Sequence, residues 1–358
     1  MSGRGFLNDV TKLASRFFSD TREARKVLIL DLGFLGDTVH LLPAAWAIRQ
    51  AYLHAELSVM VAENVTSILQ LTPWIDRVWG YPRFPKGPKP WQDLRRVMKL
   101  RREKFDAVIN FVGSDRTSLL TRLSGARARL GRRPRRGTPL HWRFLVTHEV
   151  DHPYGLEPVY AQRWACSKKA GFPGVSPEFR ITISEAMRAE VARAVGSGRP
   201  YFHVSPCTPQ DLRQLPLSQL AELLNRLTDA YPKMDLVLSC APNERERSRV
   251  DALLPLLHQA PLRTFSGSLD LPRLAALIAG SQLHLGGDSG ALHLAQMTQA
   301  PAVAWFRRFE GLVDWKPIAP QYRCLIGEET PQGIEGIDTN ALFHAADELL
   351  KASVSARV

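Results

Sequence analysis

The chain has 358 residues, 45% hydrophobic and 23% charged, an ordinary globular composition at a length that favours two domains over one. Its four cysteines, Cys166, Cys207, Cys240 and Cys324, show no CxxC or metal-ligand spacing, which argues against a disulfide framework or a zinc site and for a reducing compartment. The net charge of +12 is uneven: residues 1–180 carry 30 Lys+Arg against 16 Asp+Glu, and residues 181–358 carry 17 against 19.

Residues 6–18 place Phe6, Leu7, Val10, Leu13, Ala14, Phe17 and Phe18 at helical spacing, so an amphipathic helix is expected. Such a helix either packs on the body or lies in a membrane interface, and ordinary packing is favoured. Lys26–Leu32 (KVLILDL) reads as a strand, Gly33–Gly36 as a turn, and a helical stretch begins near Asp37. Apolar runs at Leu57–Ala62, Arg77–Tyr81 and Ala107–Phe111 alternate with helical patterns, the signature of a parallel sheet covered by helices. Residues 83–90 (RFPKGPKP) read as a loop.

After a helical stretch at Glu157–Ala170 the pattern begins again. Strands are expected at Tyr201–Ser205, Leu236–Ser239, Gln282–Gly286 and Ala302–Phe306, with helices at Leu217–Tyr231, Asn243–Leu257, Leu271–Ala279 and Ser289–Gln299. Asn340–Ala352 closes the chain as a C-terminal helix. The fold class is therefore α/β: two Rossmann-like β/α/β domains, 1–180 and 181–358, with the GT-B architecture and a central cleft as the expected ligand site. Epimerases and periplasmic binding proteins share that outline, so fold alone does not give the function.

Four segments carry the chemistry. Leu285–His293, which contains GGDSGALH, joins a strand to a helix whose free N–H groups and dipole suit a diphosphate; capping by Asp288 is the alternative. Gly33–His40 (GFLGDTVH) puts Asp37 at a strand-to-helix turn, where a carboxylate either accepts a proton from a hydroxyl or caps the helix. The loop has neither GxGxxG nor Gly-Lys-Ser/Thr, so nicotinamide and P-loop chemistry lose support. In His203–Pro216 (HVSPCTPQDLRQLP), Thr208 offers a hydroxyl and Arg213 a fixed charge for phosphate oxygens. Ala241–Glu244 (APNE) offers a carboxylate for ribose hydroxyls.

Together these segments resemble glycosyltransferase family 9, the heptosyltransferases of lipopolysaccharide core assembly. GDTVHLLPA is similar to the family's N-terminal GD-x-x-x-x-x-P motif, and HLGGDSGALHLAQMTQAPAVAWF to its D-[ST]-G-x-x-H segment. The phosphate loop and the APNE turn fall in order between them, and the resemblance spans about residues 26–306. It implies Asp37 as the general base and Thr208, Arg213, Glu244, Asp288, Ser289, Gly290 and His293 as donor-binding residues. Arg116, in GSDRTS, falls where the family has a basic residue facing the acceptor. Four positions depart from the family: Asp31 stands where Lys or Arg is common, Gly33-Phe34 replaces smaller polar residues, and Gly267 stands near the base at a position that is often bulkier.

The implied activity is inverting, metal-independent transfer of a heptose or related sugar from a nucleotide sugar, expected to be ADP-heptose, to a lipopolysaccharide inner-core acceptor. No cofactor is expected beyond that co-substrate, and the chain holds no Asp-x-Asp motif for a metal. The excess of positive charge in the first half suits an anionic glycolipid such as a lipid A-core precursor, and docking at the inner face of the cytoplasmic membrane. No stretch reaches the ~18 apolar residues of a membrane span and the start lacks a signal-peptide core, so a cytoplasmic protein is expected. A related enzyme with another donor or acceptor is the first rival reading. A basic nucleic-acid-binding protein is the second, disfavoured because the arginine clusters at 95–104 and 122–136 lack interleaved aromatics and no RNA-binding motif appears.

Overall fold

The computed structural model describes residues 15–82, 90–135, 137, 142–331 and 333–355. The chain divides into two compact units, Met1–Thr182 and Ile183–Val358.

The first unit runs α1 (residues 15–20), β1 (Lys26–Leu30), α2 (Leu35–Ala51), β2 (Glu56–Ala62), a 3₁₀ helix (Glu63–Leu71) and β3 (Arg77–Tyr81). It continues with α3 (Pro90–Arg102), β4 (Ala107–Asn110), α4 (Asp115–Leu123), β5 (Ala128–Arg132), α5 (Trp142–Leu145), β6 (His148–Val150) and α6 (Val159–Lys169). Six parallel strands pair in the order β3-β2-β1-β4-β5-β6. Helices cover both faces, so β1 and β4 are apolar without alternation.

Chain order reverses between β1 and β4, which pair from Val27↔Ala107 to Leu30↔Asn110. That reversal is the topological switch point, and the loops leaving the carboxyl ends of its two strands lead to α2 and α4. Right-handed crossovers place α2 on one face and α3, α4 and α5 on the other. The packing agrees: α2 lies on α6, α3 on α4, and α4 on α5. Leu28, Leu30, Val97, Leu100, Val108 and Leu120 form the core beneath α3 and α4.

Of the helix expected at 6–18, residues 6–14 lie outside the described residues. In the part described, Phe17 is fully buried. Its ring meets those of His148 and Phe172, and Phe18 meets Tyr52 edge-on, so this end of the amphipathic pattern packs against the body.

The second unit begins with α7 (Glu185–Val195), β7 (Tyr201–Ser205), a 3₁₀ turn (Asp211–Arg213), α8 (Leu217–Ala230), β8 (Asp235–Cys240) and α9 (Glu244–Leu253). There follow β9 (Arg263–Ser266), α10 (Leu271–Gly280), β10 (Leu283–Gly287), α11 (Gly290–Thr298) and β11 (Ala302–Arg307). It ends with α12 (Leu312–Trp315), β12 (Tyr322–Thr330), β13 (Gly333–Glu335) and α13 (Thr339–Ser355). The helix expected over Asn243–Leu257 instead ends at Leu253, because Pro255 forces a 3₁₀ turn over Leu254–Leu256.

Seven strands pair in the order β13-β12-β11-β10-β7-β8-β9, parallel except for the β12/β13 edge. The order reverses between β7 and β10, so the loops after these two strands, 206–216 and 288–289, leave the same edge of the sheet side by side. No helix among the described residues is long and apolar enough to cross a membrane.

Candidate active site

In the first unit the loop after β1 folds tightly around Asp37. Phe34 is the N-cap of α2, and its amide donates to Asp37 Oδ2 at 2.9 Å. Asp37 is therefore the third helical residue, not the cap itself, and its carboxylate satisfies an amide that the helix leaves open. Gly33 makes this geometry possible, since a Cβ there would lie 2.2 Å from Asp37 Cβ. The small residue at 33 follows from that contact.

Behind the loop stands Arg163 of α6, which sequence reasoning passed over. Its Nη2 lies 2.6 Å from Asp31 Oδ2 and 3.2 Å from Asp37 Oδ1, and its Nη1 donates to the Asp37 carbonyl. Asp31 is fully buried, and its Oδ1 accepts from the Gly33 amide at 2.9 Å. Burying a carboxylate demands a partner, and here the positive charge arrives from α6. Asp31 thus gains its cation from another element instead of being replaced by one.

Arg116 lies in the first turn of α4, exposed and with no ion pair among the described residues. Ser114 caps that helix by accepting from the Thr117 amide. Because β1 and β4 are neighbours at the switch point, the Asp37 and Arg116 turns leave the same edge of the sheet.

The basic run 122–136 divides by use. Arg132 donates to the carbonyl oxygens of His152 and Pro153 and to Gln162 Oε1, with its guanidinium 3.5 Å from the Tyr154 ring centroid. Arg133 pairs with Glu149 and Asp151, and Arg129 donates to two carbonyl oxygens. These three arginines hold the fold together. The expectation of one anionic partner for the whole run therefore narrows to its exposed members, Arg122, Arg127 and Arg135 among the described residues.

In the second unit, Arg213 and Asp288 come together across the β7/β10 switch point, with Nη1 2.8 Å from Oδ2. Arg213 Nε donates to Gln210 Oε1, which leaves Nη2 without a hydrogen bond among the described residues. Gly287 lets the two loops touch, since a Cβ there would lie 2.6 Å from Thr208 Cγ2 and 2.7 Å from Trp305 Nε1.

Asp288 is not the cap of α11. That position falls to Ser289, whose hydroxyl makes no capping bond and is buried without a partner among the described residues. Gly290 opens the helix. A nine-residue helix thus presents its N-terminus with a buried hydroxyl at its N-cap that has no partner among the described residues, an arrangement suited to an anion. Trp305 Nε1, against Gly287, is likewise buried without a partner among the described residues.

Thr208 is 2% exposed and donates its hydroxyl proton to the Gln210 carbonyl at 2.6 Å, so the proton expected for phosphate is engaged within the loop. His293 is buried in the first turns of α11, 5.4 Å from the Trp315 ring. Glu244 is exposed at the start of α9, beside its cap Asn243. Gly267 has φ +72°, and a Cβ there would lie 2.3 Å from Pro242 Cβ, so the turn before Glu244 excludes the bulkier residue common at 267.

Two arginines of α9, also unflagged in the sequence, brace the phosphate loop. Arg245 donates to the Thr208 carbonyl and pairs with Asp211 at 2.6 Å. Arg249 donates to the carbonyl oxygens of Pro206 and Leu215, at the two ends of the loop. Beneath the same sheet edge, His203 and His284 are fully buried, with their Nδ1 atoms 2.9 Å apart and their rings stacked. Burial holds both neutral: His203 is driven well below its ordinary range and His284 to about 3.

The glycosyltransferase family 9 (heptosyltransferase) model matches residues 94–339. The chain is 24% identical over 288 residues to the lipopolysaccharide core heptosyltransferase OpsX of Haemophilus influenzae, covering 80% of each chain. Among solved structures it is similar to a glycosyl transferase family 9 protein of Veillonella parvula, with a TM-score of 0.78 at 17% identity over 92% of this chain and 97% of that one. It is also similar to the ADP-heptose lps heptosyltransferase II of E. coli, with a TM-score of 0.74 at 17% identity over 91% and 99%. These likenesses establish the GT-B fold, and the family model spans well over half the chain. The chain belongs to glycosyltransferase family 9, the heptosyltransferases, and is a glycosyltransferase.

Proposed function

We propose that this enzyme transfers a heptose from ADP-heptose to an inner-core acceptor of lipopolysaccharide, with inversion at the anomeric carbon and without a metal ion. The observation that carries the donor half is the pairing of Arg213 with Asp288 beside the N-terminus of α11, where the Ser289 hydroxyl is buried with no partner among the described residues. Such a cradle suits a diphosphate. Arg213 Nη2 and the α11 amides supply donors to oxygens that gain negative charge as the glycosidic bond breaks. Arg213 and the α11 amides carry more of this reading than Thr208, whose hydroxyl is engaged in its own loop. Glu244 takes ribose hydroxyls and His293 shapes the pocket wall. The E. coli relative named for ADP-heptose supports that donor.

On the first unit, Asp37 accepts the proton of the attacking acceptor hydroxyl, and Arg116 meets the acceptor's anionic groups. The pairing with Arg163 supports an Asp37 carboxylate held in one orientation. The acceptor is a glycolipid at the inner face of the cytoplasmic membrane, which fits the excess of Lys and Arg in residues 1–180. A relative named for the lipopolysaccharide core supports the acceptor class.

The test is a melting-temperature screen with ADP, UDP, GDP and ADP-heptose, followed by a transfer assay from ADP-heptose to heptose-deficient core. A ligand that binds only the native state raises the melting point. Selective stabilisation by ADP and its heptose conjugate, with transfer, is expected. Stabilisation by UDP or GDP instead, with no transfer from ADP-heptose, overturns the donor.

A further inference from the structure

On one face of the first unit, α3, α4 and α5 pack side by side over the sheet, and no other described element packs on their outer sides. Those outer sides carry large apolar side chains in the open: Leu94 is 60% exposed, Met98 47%, Leu119 49% and Phe144 75%. Leu94 and Met98 are one helical turn apart and share a stripe of α3, while Val97 and Leu100 on the same helix point into the core. The inner face is therefore already satisfied, and the outer apolar residues keep about half or more of their surface in solvent.

The same surface is strongly basic. Residues 94–127 hold nine Lys+Arg against three Asp+Glu. Of the three acids, Glu103 is engaged by Arg77 and Lys26, which leaves little to neutralise the exposed Arg95, Arg102 and Arg122. Arg122 lies one turn from Leu119 on α4, so guanidinium groups and apolar side chains alternate along both helices.

Resting on the proposed glycolipid acceptor, we infer that this α3/α4/α5 face docks the enzyme on an anionic lipid bilayer. The apolar side chains enter the headgroup boundary, and the arginines around them meet anionic headgroups, the combination by which amphipathic basic surfaces bind membranes. A purely electrostatic partner such as nucleic acid gives no role to four exposed apolar side chains, three of them aliphatic. Arg116 opens α4 at the sheet edge that also carries the Asp37 turn, so docking on this face brings that edge toward a lipid-anchored acceptor.

The experiment uses the full chain and vesicles of phosphatidylcholine alone or with phosphatidylglycerol. Three preparations are compared: wild type, Arg95→Glu/Arg102→Glu/Arg122→Glu, and Leu94→Ser/Met98→Ser/Leu119→Ser. A fourth, Arg188→Glu/Arg193→Glu/Arg247→Glu, reverses exposed charges of the second unit as the control. Co-sedimentation is expected to show binding that needs the anionic lipid, falls by about tenfold or more in both α3/α4 variants, and survives in the control. All the variants should keep wild-type melting points and wild-type transfer to a delipidated acceptor, and the two α3/α4 variants should lose transfer to the vesicle-embedded one. Vesicle binding is read without turnover, so failure of the proposed transfer leaves this test intact. Equal loss in the control, variants that bind as wild type does, a preference for oligonucleotides over vesicles, or a change of oligomeric state in the α3/α4 variants each overturns the docking face.

Discussion

Arg163 Nη2 lies 3.2 Å from Asp37 Oδ1 while its Nη1 donates to the Asp37 carbonyl, so one guanidinium grips both the side chain and the backbone of the proposed base. The same Nη2 lies 2.6 Å from the fully buried Asp31. Removing Arg163 leaves Asp31 charged and without its cation. Arg163→Met is expected to cost about 3–5 kcal/mol of stability, the usual penalty for breaking a buried pair from one side. Adding Asp31→Asn should recover part of that loss, because it removes the stranded charge. Urea unfolding of the single and double variants checks both statements, and a double variant no more stable than the single one would refute the coupling.

That arrangement sharpens the test of Asp37. Asn at 37 can still accept from the Phe34 amide, so the bond to the N-cap survives. It cannot keep the ion pair with Arg163, but Asp31 still neutralises that guanidinium. Asp37→Asn is therefore expected to melt within a few degrees of wild type, bind ADP normally, and transfer sugar about 10²–10⁴ times more slowly. Transfer rates and melts on the same preparations decide it. Full activity in the Asn variant removes Asp37 as the base.

For the donor, Arg213→Ala should weaken ADP binding by about tenfold to a hundredfold, the worth of a charge-assisted contact. The variant also strips Asp288 of its cation, so the double variant Arg213→Ala/Asp288→Asn is needed beside it. If Arg213 acts on phosphate directly, both variants bind weakly by isothermal titration. Restoration in the double variant would mean that the unpaired Asp288 charge, and not the missing contact, had repelled the nucleotide.

Transfer is expected to continue in excess EDTA, since the sequence has no Asp-x-Asp motif and Arg213 with the α11 amides supplies the positive potential. Turnover that stops on chelation and returns with Mg²⁺ or Mn²⁺ overturns this.

The strands that were legible in the sequence are the buried ones. KVLIL, YFHVS and AVAWFR are near-continuous apolar runs because helices cover the sheet on both faces. β5 (ARLGR) was not legible, because Arg129 and Arg132 enter a strand only where carbonyl oxygens and the Tyr154 ring receive them. β9, β12 and β13 were hidden as well, being edge or mixed-polarity strands in which burial imposes little pattern. At the site, Asp37, Arg213 and Asp288 stood out because each lies at a strand-to-helix turn. Arg163, Arg245 and Arg249 did not, since each is an ordinary helical arginine whose role depends on what a distant loop brings to it. The nearest clue to Arg163 was Asp31, an acid at the buried end of an apolar strand.

The buried histidines give a prediction about acid. His203 and His284 face each other through Nδ1 atoms 2.9 Å apart, and His203 Nε2 lies 2.8 Å from Ser239 Oγ. Two neutral rings can share one proton across that contact, but two charged ones cannot, and burial opposes the first charge. The folded-state values lie below the ordinary 6.5, with His284 near 3. At these two histidines the unfolded chain therefore binds more protons than the native one from about pH 6.5 down to their folded-state values, and stability falls as pH drops through that range. The contribution is complete above about pH 6.5. His284, with its value near 3, then costs about 1.4 kcal/mol per pH unit on the way down, and His203 acts in the same direction. Replacing the whole cluster by apolar residues of similar size, His203→Leu/His284→Leu/Ser239→Ala, removes the titrating groups and their polar partner together, so no orphaned hydroxyl confuses the result. Urea unfolding of wild type and triple variant between pH 7.5 and 4.5 should give a clearly shallower acid decline in the variant. Parallel declines would mean that other groups, such as the partly buried His148 and His152, set the acid limit instead.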